Sequence, residues 1–118
     1  MVQHKIDANV VVSSDCFRMI DELYAAYEDY FPDAMSVFRS AMVVALAQKL
    51  PTDRSVRVTE PKGQSNSFLM NGKVESLLRL FGIEGNPLIE GQFLAEAGVR
   101  FLHEKHKLNI DIRDFLIS

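Results

Sequence analysis

The first thirty residues change from a strand-like to a helix-like pattern. Apolar residues at positions 6, 8, 10 and 12 alternate with Asp7, Asn9 and Val11, which is the period of a β-strand with one buried face. Residues 13–15 then offer side-chain oxygens that can cap a helix, and apolar residues recur at helical spacing through residues 17–30. We therefore predict a short strand followed by an amphipathic helix with an acidic outer face.

A second helix is predicted between two prolines. Pro32 ends the first helix, Asp33 can cap the next one, and Pro51 requires the second helix to end near Leu50. Residues 41–47 are all apolar, so the helix has no polar side in that stretch. We expect it to be buried nearly all round.

The following segment, residues 51–67, is predicted to be a long loop because it is rich in proline, glycine, small polar residues and charge. Residues 56–58 are apolar, basic and apolar, and they predict a brief extended piece within it. Long loops are frequently functional or disordered, so this one is a candidate binding segment.

Charge is unevenly distributed along the chain. Residues 1–33 contain two basic and seven acidic residues, whereas residues 49–79 contain six basic and three acidic ones. Opposed surfaces of this kind could pair in an oligomer, or the basic one could meet an acidic ligand. The candidate nucleic-acid-binding residues belong to the basic region and the N-terminal strand: Lys5, Asn9, Lys49, Arg54, Arg57 and Lys62.

The second half of the chain predicts two more helices. A short one is marked by apolar residues between Val74 and Phe81 and ends near Gly82 or Gly85, and a long one begins at Asn86-Pro87 and runs to about residue 107. The long helix carries a broad apolar stripe interrupted by two glycines, and each glycine should allow close packing. The stripe and its glycines comprise Ile89, Gly91, Phe93, Leu94, Ala97, Gly98, Phe101 and Leu102.

The C-terminal residues are too apolar to form a free, solvated end. Residues 108–112 alternate like a strand, and Phe115, Leu116 and Ile117 follow them. We expect this tail to dock on the chain itself or on a neighbour, and we take Phe115, Leu116 and Ile117 as candidate partner-binding residues.

These elements predict a mainly α fold with four to five helices, a short N-terminal β-strand and a short C-terminal strand. The 118 residues suit one domain. It would consist of a strand-helix-helix unit at 1–50, the loop at 51–67, and a helical half at 68–118 with the docked tail.

Composition and motifs favour a binding protein over an enzyme. The chain carries no phosphate-binding glycine loop and no nucleophile elbow, and its single cysteine, Cys16, is best explained as a small buried hydrophobe. His103 and His106 could share one helix face, but no third ligand is assured, so we expect no metal and no cofactor. The absence of a secretory pattern or a long apolar run leads us to expect a cytoplasmic protein without a membrane contact.

The strand-helix-helix order of the first fifty residues resembles the ribbon-helix-helix family of DNA-binding dimers. That resemblance implies a homodimer whose paired strands enter the major groove, while the N-terminus of the second helix holds a phosphate. By position, Lys5, Asp7 and Asn9 would face the groove and Ser36 would lie near the phosphate. The net charge of −3 and the acidic first helix oppose strong binding to DNA.

A second resemblance covers residues 31–105. Five stretches within it are similar to the Dnd-system-associated protein four family, whose members are encoded with bacterial DNA-phosphorothioation systems. They are the apolar run 41–47, the extended piece 56–58, and three later stretches at 75–80, 85–89 and 95–102. In the last stretch the chain lacks the tyrosine and first glycine of the family's motif. The resemblance implies an accessory component of a phage-restricting defence system and assigns no catalytic residue.

Two functional hypotheses follow. In the first, the chain is a non-enzymatic accessory protein that docks onto larger co-encoded proteins, with DNA as a further candidate partner. In the second, it is a ribbon-helix-helix transcription regulator. Both are compatible with a homo-oligomer.

Overall fold

The computed structural model describes residues 14–54, 73–85 and 87–116. Four α-helices and one 3-10 helix occur in these ranges: α1 (Ser14–Ala26), α2 (Ala34–Gln48), α3 (Lys73–Leu80), α4 (Pro87–Lys107) and the 3-10 helix Ile112–Phe115. The expectation of a mainly helical chain is therefore confirmed. The predicted N-terminal strand and most of the predicted loop lie outside the described residues.

The boundary between α1 and α2 is determined by local hydrogen bonds. Asp33 caps α2 as predicted, because its carboxylate accepts hydrogen bonds from the backbone N–H and the hydroxyl of Ser36 at 2.8 and 2.9 Å. Helix α1 ends at Ala26, earlier than the predicted residue 30. Residues 27–30 form a turn in which the N–H groups of Tyr30 and Phe31 donate to the carbonyl of Tyr27.

The most extensive contact between helices joins α2 to α4. It depends on Gly98, where an added Cβ would overlap the backbone carbonyl group of Ala41. The backbones can approach this closely because neither position carries a large side chain. The prediction that Gly98 permits close packing is thus confirmed.

One cluster of buried side chains takes residues from all four α-helices and from the 3-10 helix. Helix α2 supplies nearly half of it, in agreement with the prediction that this helix is buried nearly all round. Fully buried large side chains include Ile20 and Leu23 of α1, Phe38 of α2, Leu78 of α3 and Leu102 of α4.

Glycine ends α3 as predicted. Gly82 and Gly85 have φ angles of 78° and 100°, in the left-handed region that favours glycine. The N–H of Gly82 donates to the carbonyl of Arg79, and the N–H of Ile83 donates to that of Leu78. Helix α4 begins and ends where the sequence predicts.

The prediction of a C-terminal strand is wrong. Asn109 adopts a left-handed conformation with φ 63°, and the N–H of Ile110 donates to the carbonyl of Lys105, which closes the end of α4. The Asp111 carboxylate then accepts a hydrogen bond from the N–H of Arg113 at 2.9 Å and caps a short 3-10 helix. Local caps therefore override the alternating pattern, and the described part of the chain contains no strand.

We predict that Gly98→Ala lowers the free energy of unfolding by about 3 kcal/mol, because the added methyl group forces α2 and α4 apart. At an exposed helix position the same change would instead stabilise by about 1 kcal/mol. Gly82→Ala is the matched control, since nothing lies within 4 Å of its Cβ position and only its positive φ opposes the change. Urea unfolding of both variants tests this, and a Gly98→Ala variant as stable as wild type would contradict the close contact.

Candidate functional site

Arg54, a predicted nucleic-acid-binding residue, is engaged within the protein. Its guanidinium forms two hydrogen bonds with the Glu90 carboxylate, at 3.1 and 2.6 Å, and lies 4.4 Å from the centre of the Phe93 ring. The hydrogen bonding by Glu90 holds the pKa of Arg54 above its usual range. The pair attaches the segment after α2 to the first turns of α4.

Of the other predicted nucleic-acid-binding residues, Lys49 alone lies within the described ranges. Lys49 is exposed and ends α2 in a left-handed conformation with φ 54°. Lys5, Asn9, Arg57 and Lys62 lie outside the described residues.

The N-terminus of α2 is occupied by a carboxylate. Ser36, which the ribbon-helix-helix resemblance places beside a phosphate, instead has its N–H and hydroxyl bound to Asp33. A negative side chain already interacts with the positive end of the helix dipole there, and it would repel a phosphate.

The predicted partner-binding tail packs on its own chain. The Phe115 ring meets the Phe101 ring edge to face, with centroids 5.2 Å apart, and Leu116 also packs against the core. The hydroxyl of Tyr27 accepts a hydrogen bond from the N–H of Ile112 at 3.3 Å. Ile117 lies outside the described residues.

A concave surface lies where the ends of α1 and α4 meet the tail. Leu108 is 61% exposed and Ile110 is 37% exposed, and Ile110 lines a cavity of about 320 Å³. The ring of Tyr27 contacts that of His106 edge to face at 5.6 Å, and Arg113 lies 5.9 Å from the centre of the Tyr27 ring. Hydrogen bonds from Arg113 also lower the pKa of Asp111 to about 2. We call the set Tyr27, His106, Leu108, Ile110 and Arg113 the C-terminal surface.

Helix α4 also carries a buried polar row that the sequence analysis missed. Gln92, Glu96 and His103 are 0%, 2% and 6% exposed. Their spacing of four and seven residues places them on one side of the helix. The spacing was visible in the sequence, but these residues adjoin the apolar stripe and resemble its solvated edge.

Glu96 and Cys16 form the first contact of this row with α1. Arg100 donates from Nε and Nη2 to the Glu96 carboxylate, each at 2.9 Å, and the Cys16 thiol hydrogen-bonds to Glu96. Burial, followed by the charge of Glu96, raises the pKa of the thiol far above its usual range. Cys16 is buried as predicted, and it stays protonated and therefore unreactive at neutral pH.

A second cavity of about 240 Å³ adjoins Glu96. It lies between the end of α2 and the middle of α4, and its lining is apolar apart from three charged residues; the lining comprises Leu50, Pro51, Asp53, Glu96, Ala97, Arg100 and Phe101. Two of these charged residues, Glu96 and Arg100, both line the cavity and form an ion pair with each other.

His103 and Glu22 form the second contact between α4 and α1. The Nε2 of the buried histidine lies 2.6 Å from Oε1 of Glu22, whose other oxygen accepts a hydrogen bond from Arg18 at 2.8 Å. These bonds, chiefly the one from His103, lower the pKa of Glu22. His103 and His106 thus have different partners, and the described residues contain no group of three side chains able to hold a metal ion.

Comparison with known proteins adds no relative. No protein-family model matches the chain, and neither the curated proteins nor the solved structures show significant similarity to it. Within the described ranges, no helix is long and apolar enough to cross a membrane.

We predict that the stabilising effect of Glu22 depends on pH in the acid range. Because its pKa is lowered on folding, its contribution is complete above the unfolded value of about 4.3 and is lost as pH falls through the lower folded value. The difference in unfolding free energy between wild type and Glu22→Gln should therefore shrink as pH falls from about 5 to about 3. Glu28→Gln, at an exposed site, is the control, and a difference independent of pH would exclude the proposed linkage.

We predict that Arg54→Ala lowers the free energy of unfolding by about 1 kcal/mol, because it removes an ion pair and a cation–π contact at a partly exposed site. Chemical unfolding of Arg54→Ala, Glu90→Ala and the double variant should reveal a favourable coupling energy of about 0.5 kcal/mol or more. Unchanged stability with a flatter salt dependence of duplex binding would instead assign Arg54 to DNA.

Proposed function

We propose that this chain is a non-enzymatic interaction protein that docks onto a larger, co-encoded protein through its C-terminal surface. The observation that carries the proposal is the exposure of Leu108 and Ile110 just after α4, where Ile110 lines a cavity of about 320 Å³. Large apolar side chains next to a concave site are typical of surfaces that a partner covers.

The side chains around this cavity give it an amphipathic character. Tyr27 and Ile110 offer apolar surface, while His106 and Arg113 add hydrogen-bonding groups at the same place. Such a mixture suits a partner segment with an apolar anchor and polar flanks. The surface takes over the role that the sequence analysis assigned to Phe115 and Leu116, which pack on their own chain.

The resemblance to the Dnd-associated family supports a partner from a DNA-modification-linked defence system. In this proposal the larger partner supplies the main contact with DNA. The net charge of −3 and the ion pair of Arg54 with Glu90 both favour a partner, and not this chain, as the main DNA-binding component.

We predict that the affinity-tagged chain, co-expressed with its neighbouring genes, recovers one of their products. Leu108→Ser combined with Ile110→Ser should reduce that recovery at least about tenfold, because the apolar anchors are lost. Tyr30→Ser is the matched control, since Tyr30 is an exposed apolar side chain, 40% accessible, that is not part of the C-terminal surface.

Circular dichroism melting should first establish that the variants fold. Recovery of the wild-type chain without any co-encoded protein would contradict the proposed function. Equal recovery by the double variant would place the docking surface elsewhere.

A further inference from the structure

The segment after α2 is attached to the rest of the fold at both of its ends. We call residues 50–54 the strap. Leu50 packs against the buried core at one end, and Arg54 binds the Glu90 carboxylate of α4 at the other. Between these two attachments, Pro51 lines the cavity of about 240 Å³ described above. The strap therefore forms one wall of that cavity, and α4 forms the other.

The side of α4 that faces the strap both lines the cavity and holds Arg54. Glu90, Phe93, Ala97 and Phe101 are separated by three, four and four residues, which places them on one side of the helix. Ala97 and Phe101 line the cavity, whereas Glu90 and Phe93 contact the Arg54 guanidinium. The attachment of Arg54 thus lies just beyond the cavity along the same side of α4.

The two attachments of the strap differ in strength. Leu50 packs against the core, and its N–H donates to the carbonyl of Ala45 at 3.0 Å, which secures that end to α2. The Arg54 side chain is 57% exposed, so dissolved salt screens its attraction to Glu90. The Arg54 end is therefore the one that releases first.

Glu96 connects the cavity to a buried thiol on α1. Its side chain is 3% exposed and lines the cavity, and it hydrogen-bonds to Cys16, which is fully buried. A molecule that enters the opened cavity consequently reaches Glu96 first and the Cys16 thiol behind it.

We propose that the strap is a salt-sensitive gate, in which breaking the Arg54–Glu90 pair opens the cavity and gives solvent access to Cys16 while the helices stay folded. Local opening of this kind needs less free energy than global unfolding, because it separates few buried contacts. The gate is distinct from the C-terminal surface and does not depend on the function proposed for that surface.

Cys16 is the single cysteine of the chain, so its rate of reaction with the uncharged reagent dithiodipyridine measures opening of the gate. Arg54→Ala should raise that rate about fivefold without denaturant, because it removes both the exposed ion pair and the contact with Phe93. Glu90→Ala should also raise the rate, and the double variant should react little faster than Arg54→Ala, since all three changes release the same attachment.

Arg79→Ala is the matched control. It removes an arginine of similar exposure, whose bonds to Glu75, Ile83 and Gly85 support α3 and not the strap. This variant should react at the wild-type rate, and urea well below the unfolding transition should change the wild-type rate little. Equal acceleration by Arg79→Ala, or a rate that rises steeply with urea, would show that only global unfolding exposes the thiol and would overturn the proposal.

Ionic strength tests the role of the ion pair. Raising the salt concentration from about 20 mM to about 500 mM should accelerate the reaction of wild type and leave that of Arg54→Ala unchanged, because only wild type has an attraction to screen. A wild-type rate independent of salt, or one that changes in parallel with that of Arg54→Ala, would contradict a gate held by charge.

Discussion

The close approach of α2 and α4 at Ala41 and Gly98 is the constraint on which the rest of the structure depends. Because neither position carries a large side chain, the two helices pack closely, bury most of α2 and create the apolar face against which the other elements pack. Helices α1 and α3 and the 3-10 helix each contribute side chains to the same buried core. A larger residue at position 98 would disturb all of these contacts together, because protein interiors are packed as tightly as crystals.

Helix α4 uses different chemistry toward its two main neighbours. Its contact with α2 is close and includes a glycine, whereas its contact with α1 includes Cys16 bound to Glu96 and Glu22 bound to His103. Buried polar groups cost free energy unless they are hydrogen-bonded, so these pairs favour one alignment of α1 on α4. The buried polar row of α4 consequently adds specificity to the interface with α1, whose Ile20 and Leu23 are also buried.

The functional proposals follow from which groups the fold uses internally and which it leaves exposed. Arg54, Phe115 and Leu116 were candidates for external contacts, but the fold gives each of them a partner within the chain. Leu108 with Ile110 and Leu80 with Phe81 remain exposed. Ile110 of the first pair lines a cavity that suits a larger partner.

The sequence by itself determined the helical fold class, the Asp33 cap, the ends of α3 and α4, and the burial of α2, because periodicity, prolines and glycines act over a few residues. It failed at residues 108–112, where a left-handed Asn109 and the Asp111 cap outweigh an alternating pattern. Only the tertiary structure decided that Arg54 meets Glu90 and that His103 meets Glu22, across 36 and 81 residues of chain. No local pattern specifies such pairs, since they exist only once packing against α4 has brought distant segments together.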